Sequence, residues 1–134
     1  MRILLVDDEP RLRQAIARSL TVRGYHVTEA ENAAIALSLA DPGNVDLLVL
    51  DINLPDATGW DVLRTLKERG TTLRTVVFSA VPPTRSRIAE FAPFGVLHKP
   101  FPISALLSLV ERAREGNEPL GGELRLVGVD EREG

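Results

Sequence analysis

Branched aliphatic residues gather in five short runs along the chain, with amphipathic segments between them. The runs are "ILLV" (Ile3–Val6), "YHVTEA" (Tyr25–Ala30), "VDLLVL" (Val45–Leu50), "LRTVVFSA" (Leu73–Ala80) and "GVLH" (Gly95–His98). The first and third are nearly continuous in aliphatics, as a strand covered on both faces of a parallel sheet reads. The second alternates and is polar enough for a sheet edge. Between the runs the apolar period is near 3.6. After Pro10, Leu12, Ile16 and Leu20 fall on one face, and Gly24 suits the left-handed residue that closes a helix. Asn32 can cap a second helix, which the "DPG" at Asp41–Gly43 ends. Trp60, Leu63, Leu66 and Lys67 suit a third, stopped by Gly70, and Ile103, Leu106, Leu107 and Val110 form the stripe of a last one. Thr84–Phe91, with Pro82 and Pro83 before it and Pro93 after, predicts only a short or irregular helix.

Strand and helix repeated five times predict a doubly wound α/β domain, because parallel neighbours need right-handed crossovers. Ligands of such sheets bind beyond the carboxyl ends of the strands. The residues there are Asp7 and Asp8, Asp51, Ser79 with Ala80, and Lys99. Three carboxylates drawn together repel, so protons or a cation must compensate. All-oxygen ligands favour Mg²⁺. A carboxylate can also act as a nucleophile and form an aspartyl phosphate, with a metal, a lysine and a hydroxyl neutralising the phosphoryl oxygens. Asp8 or Glu9 could instead cap the first helix.

The bulk numbers restrict the setting. A chain of 134 residues fits one domain able to bury about two-thirds of its unfolded surface. It has no cysteine, nothing that reads as a signal peptide, and no run near the roughly 18 apolar residues of a membrane span. Net charge is −3 with both signs mixed, which argues against nonspecific nucleic-acid binding. A cytoplasmic domain is expected. Positive charge is carried almost wholly by arginine; Lys67 is the only lysine besides Lys99. A compact ammonium kept against that bias suggests chemistry for Lys99. GxxxxGK[ST] and GxGxxG loops are absent. The dehalogenase-type phosphatases need an Asp two residues after the nucleophile, where Asn53 stands.

Four pieces in order, "LLVDDEP" (Leu4–Pro10), "LLVLDINLPDATGWDVL" (Leu47–Leu63), "VVFSA" (Val76–Ala80) and "HKPF" (His98–Phe101), resemble the receiver domain of two-component response regulators. The resemblance covers residues 1 to about 115. It implies a flavodoxin-like (βα)5 sandwich with a parallel sheet of order 2-1-3-4-5. It implies Asp51 as phosphoacceptor, and Mg²⁺ held by Asp7, Asp8, Asp51 and the backbone carbonyl of Asn53. Ser79 and Lys99 would bind the phosphoryl oxygens, and Lys99–Pro100 would be cis. The donor would be a histidine kinase or phosphotransfer protein, and the receiver of the signal a downstream output protein or domain. Such a domain is a switch with self-catalysed phosphoryl transfer and autodephosphorylation, not a metabolic enzyme. Two rival readings are a constitutive interaction module and the N-terminal regulatory part of a DNA-binding regulator.

The chain departs from the family pattern where signals are read out. Three positions before the lysine, where an aromatic is usual, stands Val96, and the usual "GADD"-like stretch is missing before Gly95. Residues 116–134 form a Gly-rich, charged tail, linker or stub, with one strand-like piece at Glu123–Val127.

Overall fold

The computed structural model describes residues 1–116 and 126–127. Five strands, β1 (Arg2–Val6), β2 (His26–Ala30), β3 (Leu47–Asp51), β4 (Arg74–Ser79) and β5 (Gly95–His98), alternate with five helices. The helices are α1 (Pro10–Val22), α2 (Ala33–Leu39), α3 (Gly59–Glu68), α4 (Arg85–Phe91) and α5 (Ile103–Arg114). All pairings are parallel, and the order of these five is β2-β1-β3-β4-β5, as expected. A sixth strand, β6 (Leu126–Val127), adds to the outer edge of β5, pairing Val96 with Leu126 and Leu97 with Val127. It is the end of the strand-like piece at Glu123–Val127; the rest of the tail lies outside the described residues.

Side-chain alternation along the central strands divides the core in two. Leu4, Val6, Leu48, Leu50, Val77 and Val96 face α2 and α3 through Ala33, Ala36, Val62, Leu63 and Leu66. Ile3, Leu5, Leu47, Val49, Val76, Phe78 and Leu97 face α1 and α5 through Ile16, Leu20, Leu106, Leu109 and Val110. Full burial of each such aliphatic side chain contributes about 1.5–3 kcal/mol. β3 is buried at every residue, whereas β2, on the edge, buries only Ala30.

The helix signals hold with two adjustments. Asn32 caps α2 by accepting the Ile35 N–H at 2.8 Å, and Gly24 has φ +93 where α1 ends. The buried stripe of α5 is Leu106, Leu109, Val110 and Ala113, one turn later than expected; Ile103, in the opening turn, stays half-buried. Neither Asp8 nor Glu9 caps α1: Glu9 occupies the cap position without a side-chain bond. α4 is the short helix that its flanking prolines predict. Thr84 caps it, Ala92 closes it at φ 44 just before Pro93, and none of its residues is fully buried. Among the described residues no helix is long and apolar enough to cross a membrane.

Candidate functional site

β1 and β3 are neighbours in register, so their carboxyl ends deliver Asp7, Asp8 and Asp51 to one place. One carboxylate oxygen from each lies within 4.8 Å of the other two. Asp51 is 1 % exposed, and both its oxygens are engaged. Oδ1 accepts the Asn53 N–H at 3.0 Å, and Oδ2 accepts Lys99 Nζ at 2.9 Å. Lys99 follows β5 directly, and its own N–H donates to the Ser79 carbonyl at 2.9 Å, which locks the ends of β4 and β5 together. The Lys99–Pro100 bond is cis, as the resemblance implied.

Asp7 is completely buried, its N–H bonded to the Ala30 carbonyl at 3.1 Å. Its Oδ1 accepts the Glu9 N–H at 3.1 Å, while Oδ2 is buried without a partner. Burial pushes the Asp7 carboxyl up to about 6, and the nearby charge of Asp51 adds to the effect. A buried carboxylate oxygen with nothing to bond is costly unless a proton or cation meets it. The donor set is all oxygen and one of its oxygens is buried without a partner, so the residues fit a hard divalent cation such as Mg²⁺. Asp8, the exposed member, stands at the mouth.

The remaining expected residues lie around this cluster. Asn53 is two residues beyond Asp51 and pairs across the loop with Thr58 in an isolated antiparallel bridge. Ser79 ends β4 half-buried, its Oγ accepting the Val81 N–H at 3.1 Å. A cavity of about 440 Å³ opens between Asn53, Ser79, Trp60, Val81, Pro83 and Arg87. Trp60 is buried packing, as expected, and stacks on Phe91 of α4 with centroids 5.7 Å apart. His26 and His98 are strand residues. Lys67, read as a solvated lysine, donates Nζ to the Glu90 carbonyl at 3.2 Å.

Three supporting residues were not singled out by sequence reasoning. Gly59 opens α3 so close to β3 that a Cβ would lie 2.8 Å from the Asp51 carbonyl oxygen and 2.9 Å from Ile52 Cα. The glycine in "PDATG" was visible, but its neighbour was not. Asp56, in the loop after Asp51, accepts the N–H groups of Ala33 and Ala34 at 2.9 and 3.0 Å, tying that loop to the start of α2. Arg13 donates Nη1 to the Asp7 carbonyl at 2.9 Å and Nε to Glu29 at 2.9 Å. Its spacing, three residues past Pro10, carried no signal beyond a polar helix face.

The strand order, the carboxylate cluster and the lysine at the strand ends agree with the receiver-domain resemblance. The family model described as "Response regulator receiver domain" matches residues 3–111, and the chain belongs to that family. It is 33% identical over 120 residues to the probable transcriptional regulatory protein SilR of Salmonella typhimurium, covering 87% of this chain and 53% of that one. It is 33% identical over 112 residues to the transcriptional regulatory protein CusR of Escherichia coli, covering 82% and 49%. The chain thus spans about half the length of these curated relatives. Among solved structures, it is similar to response regulator TrrA from Thermotoga maritima in complex with Mg²⁺-BeF. The TM-score is 0.73 at 31% identity, covering 84% of this chain and 97% of that one. It is also similar to the non-phosphorylated HemR receiver domain from Leptospira biflexa, with TM-score 0.77 at 31% identity, covering 84% and 92%.

Proposed function

We propose that the chain takes a phosphoryl group onto the Asp51 carboxylate from the phosphohistidine of a histidine kinase or phosphotransfer protein. The observation that carries this reading is the Asp7–Asp8–Asp51 cluster with Lys99 bonded to its innermost member. An Asp51 oxygen attacks phosphorus, a P–O bond forms, the P–N bond to the donor imidazole breaks, and the imidazole leaves with a proton. A carboxylate oxygen attacks without a general base, and Lys99, 2.9 Å from Oδ2, holds it in place. Lys99 then transfers its ammonium from the carboxylate to a phosphoryl oxygen. Ser79 gives up the Val81 N–H and turns its hydroxyl to another. Asp7 and Asp8, with Asp51 and the Asn53 carbonyl, would hold Mg²⁺. When bound, the ion supplies charge neutralisation of the transferring group and of the buried carboxylates. TrrA, a relative of similar fold, is described with Mg²⁺-BeF, which supports the same chemistry here. Autodephosphorylation reverses the state by hydrolysis of the acyl phosphate at the same site. No metabolic substrate is required, and the setting is cytoplasmic, where the donor kinases present their histidines.

The output is a change in the face that a downstream protein or domain reads. Relatives named as transcriptional regulators, one of them as DNA-binding, favour an output domain that binds DNA, with this domain making no nucleic-acid contact of its own. The test is incubation with acetyl phosphate, with Mg²⁺ or with EDTA, read by intact mass. A gain of one phosphoryl group that requires Mg²⁺ is expected. No gain at any Mg²⁺ concentration, in a folded protein, would leave a constitutive interaction module as the better reading.

A further inference from the structure

We propose that Arg13 is a positioning residue for the metal site, acting through the Asp7 carbonyl with Glu29 as its brace. The inference rests on the metal-binding reading above and concerns how that site keeps its shape. β1 ends at Val6, so the Asp7 carbonyl has no strand partner beyond it. Arg13 Nη1 fills that place at 2.9 Å, from a side chain only 12 % exposed. Its Nε is held by Glu29 Oε1, also at 2.9 Å, one residue before the Ala30 whose carbonyl accepts the Asp7 N–H. Both ends of Asp7 are therefore fixed to β2, one directly and one through the guanidinium. The peptide that joins Asp7 to Asp8 cannot rotate without breaking the Arg13 bond. That peptide sets the direction in which Asp8 leaves the strand, and hence whether its carboxylate meets those of Asp7 and Asp51.

Charge alone argues the opposite sign, which makes the role testable. A guanidinium near a cation site repels the cation, so its removal should tighten binding if only Coulomb energy mattered, the more so with Glu29 left unpaired. Positioning requires that removal weaken it. Groups that orient ligands from behind typically change metal affinity by 10- to 100-fold when lost. For Arg13→Met, which keeps the stem and drops the donors, a loss of about tenfold is expected. Arg13→Lys can reach either the carbonyl or Glu29 but not both, and should lie between. Glu29→Gln keeps the acceptor for Arg13 Nε and drops only the charge, and is the control against which loss of the brace is read.

The experiment is calorimetric titration of the full chain with Mg²⁺, together with melting temperatures without the ion. Weaker Mg²⁺ binding by Arg13→Met, partly restored in Arg13→Lys, supports the role. Equal or tighter binding overturns it while leaving the metal site intact. If Arg13→Met does not fold, Glu29→Ala, which removes the brace, should bind Mg²⁺ more weakly than Glu29→Gln, which loses the same charge but keeps the acceptor; equal binding by the two overturns the role. A folded wild type that binds no Mg²⁺ overturns the metal site itself, and the role of Arg13 with it.

Discussion

Lowering the pH from about 7.5 to about 5 should weaken Mg²⁺ binding roughly tenfold, with Asp7 as the titrating group. Its carboxyl is pushed up to about 6, by burial first and by Asp51 second. At one unit below that value only about one molecule in eleven has Asp7 ionised, and the proton must leave before the cation enters. The same shift has a consequence for stability, with a definite sign. A carboxyl whose folded value lies above the ordinary 3.8 binds its proton more tightly in the fold. The stability it contributes is complete below about 4 and is lost as pH rises through about 6. Asp46, held down to about 2 by Arg2, acts in the other direction, its contribution lost only on strong acidification, and so its window is separate. Thermal melts across this range, with and without Mg²⁺, check the account. Asp7→Asn keeps the acceptor for the Glu9 N–H, so the metal-free variant should melt at or above the wild type at neutral pH and gain nothing from Mg²⁺. Mg²⁺ affinity that is constant between pH 7.5 and 5, or a metal-free Asp7→Asn that melts clearly lower at neutral pH, would refute the reasoning.

Gly59→Ala places a methyl 2.8 Å from the Asp51 carbonyl oxygen, against backbone that cannot swing aside. Overpacking of this kind costs about 1–3 kcal/mol. For a domain of this size that lowers the melting temperature by roughly 3–5 °C per kcal/mol; an unchanged melt would show that α3 slides freely. Val96 is 1 % exposed within the α2–α3 side of the core, and its single stiff torsion leaves it little room to change place. Beryllofluoride should therefore shift amides around Asp51, Ser79 and Arg85–Phe91, and the indole of Trp60, with small changes across Leu106–Arg114. Large NMR shifts throughout that last helix would contradict this path.

What the sequence disclosed and what it hid divide along a physical line. β1 and β3 were legible because both their faces are covered, which leaves unbroken aliphatic runs. The strand-end residues were legible because parallel topology alone brings Asp7, Asp8, Asp51 and Lys99 to one edge. α4 gave a weak signal for a structural reason: it buries no residue fully and is held by Trp60 on Phe91 and by Arg64 on Glu90 at 3.3 Å. Arg13 and Asp56 stayed hidden because their roles depend on partners that only the fold brings to them. Asp56 reads as an ordinary turn residue beside Pro55, yet its bonds go back more than twenty residues to the start of α2. The edge strand β6 was visible only as a strand-like piece, since nothing in a two-residue pairing marks its partner.

Substitution of Asp51 tests its role as the nucleophile directly. Asp51→Asn keeps an acceptor for the Asn53 N–H, replaces the oxygen bonded to Lys99 with an amide NH2, and removes the attacking charge. Wild type and variant should be incubated side by side with Mg²⁺ and acetyl phosphate, and their intact masses compared. One phosphoryl group is expected on the wild type, labile as an acyl phosphate is, and none on a folded Asp51→Asn. A variant that gains the group to the same extent would contradict that role.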